Sequence, residues 1–184
     1  MRSFLAINLS QQLKKELGCL QEKLKQKGVK EFKWVNPELM HITLKFLGNI
    51  TSRQVSLLEK PLQELGNRTA SFNLSLAGLG AFPHKKRPRV LWGGIKRGAA
   101  EIINLSMEIE EITKQLGFPP GQRKVVPHLT IGRQKNSAFD FPPGVFEQKW
   151  ESKTTLFIDR FSLIKSTLYP SGPEYTTLKD FLLK

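Results

Sequence analysis

The tetrapeptides HITL at His41–Leu44 and HLTI at His128–Ile131 repeat one pattern, in which histidine and threonine alternate with two aliphatic residues. Alternate side chains of a β-strand point to the same face of the sheet. Each copy therefore predicts a strand that buries its aliphatic side chains and presents histidine and threonine on the other face. Two residues of strand separate the histidine and threonine Cα atoms by roughly 6.5–7 Å, so one oxyanion can reach both side chains.

The two tetrapeptides belong to a longer duplication. His128 follows His41 by 87 positions, and the same offset separates strand candidates that begin at Arg2 and Arg89. One amphipathic helix lies between the strands in each half. This order predicts two similar lobes, about 1–86 and 87–184, related by a pseudo-twofold axis within a single domain. The interface between such lobes is a natural place for a cleft.

Periodicity and capping signals predict three helices. One runs from an N-cap at Ser10 to Gly28, one opens with a capping box of Thr51 and Gln54 and ends at Gly66, and one covers about 99–116. Short apolar or alternating runs predict the strands, which are Arg2–Leu9, Glu31–Val35, Met40–Leu47, Ala70–Ala77, Arg89–Ile95, Val125–Arg133, Leu156–Ser166 and Tyr175–Leu183.

Composition bounds the class of protein. The 184 residues include 29 Lys and Arg against 16 Asp and Glu, a formal net charge of +13 that predicts an anionic partner, with nucleic acid the first candidate. The single cysteine excludes an intramolecular disulfide and fits a reducing compartment. No apolar stretch approaches the ~20 residues of a membrane span, so we expect a cytoplasmic protein. One cysteine and three histidines leave little for a metal cage, and we expect no metal and no cofactor.

The duplicated motif carries the chemistry. A lone histidine on a strand is more often structural than catalytic, but recurrence at equivalent places brings two imidazoles to opposite sides of one cleft. One imidazole can take a proton from a nucleophile while the other gives one to a leaving group. Two threonine hydroxyls and a nearby cation can hold the non-bridging oxygens of a phosphate. The near-identity of the motifs leaves open which histidine takes which role.

At these residues the sequence resembles the two-histidine (2H) phosphoesterases. It is most similar to their RNA 2′,3′-cyclic phosphodiesterase branch, formerly called 2′-5′ RNA ligases. The stretches that carry the resemblance span most of the chain and are Arg2–Ile7, His41–Gly48, Arg89–Gly94, Pro127–Arg133, and Ser166–Leu168 with Gly172, Pro173 and Tyr175.

The resemblance implies a bilobal α+β fold with an antiparallel sheet in each lobe, helices packed outside and the active site between the lobes. It implies opening of a terminal RNA 2′,3′-cyclic phosphate to a 2′-phosphate without metal or ATP, with reversible 2′-5′ ligation of tRNA halves as a related reaction. His41 is then the proton donor, His128 the proton acceptor, and Thr43 and Thr130 the phosphate ligands. We expect a monomer.

Two cations near the motifs are further candidates for phosphate binding. Arg133 is five residues after His128, so strict alternation turns it away from the site unless Gly132 allows a bulge. Lys45 is four residues after His41 and shares its parity, which places it on the cleft face or at a solvated strand end. Trp34, Trp92 and Tyr169 are candidates for stacking on a base, although core packing is the better interpretation of Trp92. We expect His84 to be exposed within a basic loop.

Two alternatives stay open. The first is an RNA-binding protein that retains the fold without catalysis. The second is a cyclic phosphodiesterase that acts on small nucleotides. Turnover of mononucleotide and oligonucleotide cyclic phosphates distinguishes these possibilities.

Overall fold

The computed structural model describes residues 1–29, 32–121, 125–135 and 142–184, and it confirms the α+β class. Glu31, the first residue of one predicted strand, lies outside these ranges. The helices are α1 (Gln11–Gln26), α2 (Ser52–Arg68) and α3 (Ala99–Gln115), with a 3-10 turn at Pro37–Leu39. The strands are β1 (Arg2–Asn8), β2 (Phe32–Trp34), β3 (His41–Asn49), β4 (Phe72–His84), β5 (Arg87–Arg97), β6 (His128–Gln134), β7 (Leu156–Ile158), β8 (Arg160–Tyr169) and β9 (Gly172–Leu182).

The strands form two antiparallel sheets, as the family resemblance predicts. The sheet of the first lobe has the order β3-β1-β8-β9, and that of the second lobe has the order β2-β6-β5-β4-β7. The predicted boundary between residues 1–86 and 87–184 is wrong. β4, from the first half of the chain, pairs with β5, and β8, from the second half, pairs with β1. Each half therefore gives two strands to the other lobe, β2 and β4 from the first half and β8 and β9 from the second.

The segment predicted as one strand over Leu156–Ser166 is two strands in different sheets. β7 pairs with β4 in the second lobe, and β8 pairs with β1 in the first lobe. The chain passes between the sheets at Asp159, whose carbonyl accepts a hydrogen bond from the amide of Leu183 at 2.8 Å. An apolar run does not by itself reveal such a crossing, because both strands bury aliphatic side chains.

The helices begin where the capping signals predict. The Ser10 side chain accepts from the amide of Leu13, and Thr51 and Gln54 form a reciprocal capping box. Helix α2 does not end at Gly66 but continues to Arg68. Gly66 instead packs against the carbonyl oxygen of Leu182, in a space that any Cβ would fill. The glycine thus lets α2 approach β9 closely.

One continuous apolar core joins the lobes. It includes the buried leucine stripe of α1 and aliphatic residues of both sheets, among them Ile42 in β3 and Ile131 in β6. The side-chain amide of Gln21 in α1 donates to the carbonyl oxygens of Val35 and Ile131 at 2.7 and 3.0 Å, which fixes α1 against the edge of the second sheet. Among the helices in the described ranges, none is long and apolar enough to cross a membrane.

Candidate active site

A cleft of about 920 Å³ lies between the lobes, and both motifs open into it. Its walls include His41 and Thr43 from β3 and His128 and Thr130 from β6. Each histidine and its threonine share a face of their strand, while Ile42 and Leu129 between them are fully buried. The structure therefore brings together the four residues that the alternation predicts.

The two histidines have the same local geometry. His41 Nδ1 is 2.9 Å from the carbonyl oxygen of Leu39, and His128 Nδ1 is 2.7 Å from that of Val126. A carbonyl oxygen only accepts, so Nδ1 carries the hydrogen in both rings and Nε2 is the basic nitrogen of the neutral imidazole. In both motifs a carbonyl two residues earlier orients the ring and fixes its tautomer.

Aromatic neighbours remove water from both imidazoles. Phe4 stacks on His41 at a centroid distance of 4.6 Å, and Tyr175 meets the same ring edge-on at 5.3 Å. Phe82 meets His128 edge-on at 4.9 Å, and Trp92 lies 6.2 Å from it. Burial lowers the pKa of His41 below its ordinary value of 6.5, against the opposing effect of the Leu39 carbonyl.

The pKa of His128 is also below 6.5, and here two causes act in that direction. Burial is the larger, and the positive charge of Arg133 adds to it, while the hydrogen bond to Val126 opposes both. For His41, burial is the cause that lowers the pKa. Both rings therefore favour the neutral form, and at His128 the cation Arg133 contributes to this.

A β-bulge brings Arg133 to the cleft. In the pairing of β5 with β6, Leu91 faces Gly132 and Trp92 faces Thr130, so Ile131 is an extra residue. The extra residue reverses the alternation after Thr130. Arg133 consequently lies on the same face as His128 and lines the cleft. The odd spacing that argued against Arg133 is thus offset by the bulge.

An equivalent bulge in β3 makes the placement of Lys45 on the cleft face wrong. In the pairing of β1 with β3, Leu5 faces Lys45 and Ala6 faces Thr43, which leaves Leu44 as the extra residue. Lys45 therefore points away from the cleft. It is buried, and its ammonium contacts a carboxylate oxygen of Glu110 on α3 at 2.6 Å and the carbonyl of Pro119 at 3.2 Å.

The cleft also contains residues that the motif analysis did not single out. Phe46 takes the cleft-facing position that parity assigned to Lys45, with 65% of its surface exposed. Arg2 and Lys33 add positive charge, and Glu174 is the acidic residue among the lining residues. Strict alternation from His41 places Phe46 on the core face. The sequence could have predicted its position in the cleft only if the bulge at Leu44 had been known.

The remaining aromatic and histidine candidates differ in whether they line the cleft. Trp34 and Tyr169 line the cleft. Trp92 is not among the residues that line it but packs against Phe82 and His128, with its indole lying over Gly80, where any Cβ would collide with the ring. His84 is exposed and accepts a hydrogen bond from the Arg87 amide.

No group of three or more His, Cys, Asp or Glu side chains is arranged to hold a metal ion within the described part of the chain. The cleft lining includes two imidazoles, the hydroxyls of Thr43 and Thr130 and three cationic side chains, a set suited to an oxyanion.

The chain is similar to known proteins in sequence and in fold. Residues 7–92 match the family model described as LigT like Phosphoesterase. An RNA 2′,3′-cyclic phosphodiesterase of Aquifex aeolicus is 38% identical over 156 residues, which cover 82% of this chain and 81% of the relative. One from Thermotoga maritima is 33% identical over 188 residues, 98% of this chain and 94% of the relative. The crystal structure of TT0787 from Thermus thermophilus matches with a TM-score of 0.84 and 27% identity, over 100% of this chain and 98% of that one.

Proposed function

This chain belongs to the LigT-like phosphoesterases, and from that membership we propose that it hydrolyses the 2′,3′-cyclic phosphate at the end of an RNA to a 2′-phosphomonoester. The observation that carries the proposal is the pair of imidazoles in one cleft, each held as the same tautomer by a backbone carbonyl. Both relatives described above are named for this reaction.

In the proposed mechanism a water molecule attacks the phosphorus, and the bond to the 3′ oxygen breaks. His128 Nε2 takes a proton from the water as the new P–O bond forms. His41, protonated at Nε2, gives its proton to the departing 3′ oxygen, which becomes a hydroxyl. The net change is addition of one water across one P–O bond, and proton exchange with solvent restores both imidazoles.

The surroundings of the two rings support this assignment of roles. A general base must be neutral before it acts, and Arg133 favours the neutral form of His128. A general acid must carry its proton into the reaction. A bound phosphodiester anion beside His41 favours the imidazolium form that the apolar surroundings of the free protein disfavour.

Thr43, Thr130 and Arg133 are the proposed ligands of the non-bridging phosphate oxygens. Both hydroxyls lie two residues beyond a histidine on the cleft face, and the guanidinium enters from the second lobe. Hydroxyl and guanidinium donors oriented before the reaction stabilise the charge that builds on these oxygens in the transition state. Lys45 has no part in this set, because Glu110 and Pro119 occupy its ammonium group.

Exposed aromatic residues of the cleft are proposed to bind the nucleobase. Phe46 and Tyr169 have 65% and 50% of their surface exposed although they line a cleft. Trp34 lines the same space. Every base has a π-face, so such rings bind unpaired bases of any sequence.

The test is hydrolysis of a 5′-labelled oligoribonucleotide that ends in a 2′,3′-cyclic phosphate, in the presence of EDTA. We expect conversion to the 2′-phosphate alone. Exclusive formation of the 3′-phosphate, or loss of activity with EDTA, would overturn the proposal. Tight binding without turnover of oligonucleotide or mononucleotide cyclic phosphates would favour a binding protein. Turnover of mononucleotides alone would favour a small-nucleotide phosphodiesterase.

We propose tRNA halves as one physiological substrate, with ligation as the reverse reaction, and a cytoplasmic monomer that works without metal. Incubating labelled tRNA halves with the protein tests the ligation. Sedimentation at several protein concentrations tests the monomer.

A further inference from the structure

The five strands of the second-lobe sheet, over the ranges that the structure describes, carry basic residues and no acidic ones. None of the strands β2, β4, β5, β6 and β7 contains an aspartate or glutamate. In the first lobe, by contrast, β9 contains Glu174 and Asp180. The charge of the molecule is thus distributed unequally about the cleft, with the second lobe the more attractive to an anion.

Much of this charge lies at the tip of the β4–β5 hairpin, residues 84–89, here called the basic hairpin. Lys85, Lys86, Arg87 and Arg89 are all exposed there. Within the described ranges none of these four forms an ion pair with a carboxylate. Lys85 lies 5.4 Å from the centre of the Phe146 ring, a contact that leaves its positive charge uncompensated.

The basic hairpin adjoins the wall of the catalytic cleft. Phe82, at its base, contacts the ring of His128, and Val90 pairs with Arg133, which lines the cleft. Arg133 also pairs with Lys33 on the far side of β6. Three residues of strand separate Phe82 from Lys85, a distance of about 10 Å. Cations therefore lie in the cleft, at Lys33 and Arg133, and again at the hairpin tip, beyond Phe82 and Val90.

We propose that the basic hairpin binds the phosphate backbone of the RNA strand upstream of its cyclic phosphate end, so that the strand leaves the cleft across the second lobe. The inference rests on the proposed function, since it presumes that the cyclic end lies between His41 and His128. A small nucleotide has no phosphate that reaches the hairpin. The hairpin thus gives the protein a preference for RNA over mononucleotides that the catalytic residues alone do not provide.

Two double variants remove one lysine and one arginine each. Lys86→Ala/Arg87→Ala changes the hairpin, and Arg53→Ala/Lys60→Ala changes cations on α2, a helix that contributes nothing to the described cleft wall. Both lower the net charge by two. Thermal unfolding followed by circular dichroism verifies that each variant is folded.

The first measurement is fluorescence anisotropy of a labelled single-stranded RNA that ends in a 2′-phosphate, titrated at several salt concentrations. Each lost phosphate contact makes the plot of log affinity against log salt shallower by about 0.7. We expect the hairpin variant to lose about 1.4 from the slope, and the α2 variant to match the wild type. Equal slopes for the two variants would overturn the proposal. Because no turnover is needed, this result is independent of whether the protein is an enzyme.

The second measurement is the KM for cyclic-phosphate RNAs of increasing length. We expect the KM of the hairpin variant relative to that of the α2 variant to rise with length, to about tenfold for the longest RNAs. A ratio that does not depend on length would contradict an upstream backbone contact. Failure of the wild type to hydrolyse any length would overturn the proposed function instead.

Discussion

Phe46 and Arg133 occupy equivalent positions in the two lobes. Each is the second residue beyond the extra residue of a β-bulge, Leu44 in β3 and Ile131 in β6, and each lines the cleft. The duplicated backbone thus presents an aromatic ring beside one histidine and a guanidinium beside the other. This difference gives two nearly identical motifs different electrostatic environments.

The pH dependence of kcat/KM follows from the pKa values of the free protein. Both histidines have a pKa below 6.5, and the reaction needs one imidazole neutral and the other protonated. The profile is therefore a bell whose maximum lies midway between the two pKa values, below pH 6.5. The profile of kcat should lie at higher pH, since bound phosphate favours imidazolium. A kcat/KM maximum above about pH 7 would contradict this prediction.

Arg133→Met removes the cation that lowers the pKa of His128. We expect one limb of the kcat/KM bell to move to higher pH while the other stays, together with a rise in KM from the lost phosphate contact. Arg133→Lys, which keeps the charge, serves as the control. Both limbs of its kcat/KM profile should lie at the same pH as in the wild type. Limbs that stay in place in the methionine variant would show that Arg133 does not act on His128.

Thr43→Val and Thr130→Val each replace a hydroxyl by a methyl group of similar size. If the hydroxyls donate to charge that develops in the transition state, each variant should lose roughly 10²-fold in kcat/KM. Thr43→Ser and Thr130→Ser retain the hydroxyl and should keep most of the activity. Equal losses for the valine and serine variants would indicate a packing role, as measured by steady-state kinetics on the cyclic-phosphate RNA.

Lys45 and Glu110 are expected to affect stability and not phosphate binding. Only 4% of the Lys45 side chain is exposed, against 31% for Glu110, so the lysine depends more on its partner. Glu110→Gln leaves a buried ammonium without its carboxylate and should cost about 3 kcal/mol of unfolding free energy. Lys45→Met, which removes the buried charge, should cost less. Urea denaturation measures the unfolding free energy of both variants. A larger loss for Lys45→Met than for Glu110→Gln would contradict the burial of the Lys45 ammonium.

Much of the site follows from the sequence because alternation is a local property. His41 and Thr43 must share a face of β3 wherever that strand lies, and the same holds for His128 and Thr130. The cap of α1 at Ser10 is likewise local. The family resemblance adds the two antiparallel sheets, which the helix and strand order alone does not specify.

The sequence-based predictions fail where the pairing of strands determines which way a side chain faces or which sheet a strand joins. A bulge adds one residue on one strand only, and nothing in the residues Leu44 and Ile131 themselves signals the reversal of parity. The misplacement of Lys45 and the doubt about Arg133 both come from this cause. The exchange of β2 and β4 for β8 and β9 between the lobes is equally invisible in a repeat of 87 residues, since the repeat is unchanged by which sheet each strand joins.

Joint action of His41 and His128 as acid and base is tested by kcat for three variants on one RNA 2′,3′-cyclic phosphate: His41→Ala, His128→Ala and the double variant. Each imidazole should contribute about 10²–10⁴-fold, so both single variants should lose at least a hundredfold. The double variant should lose less than the product of the single losses, as expected for residues that act as a unit. Retention of near-wild-type kcat by either single variant would contradict two-histidine catalysis in this cleft.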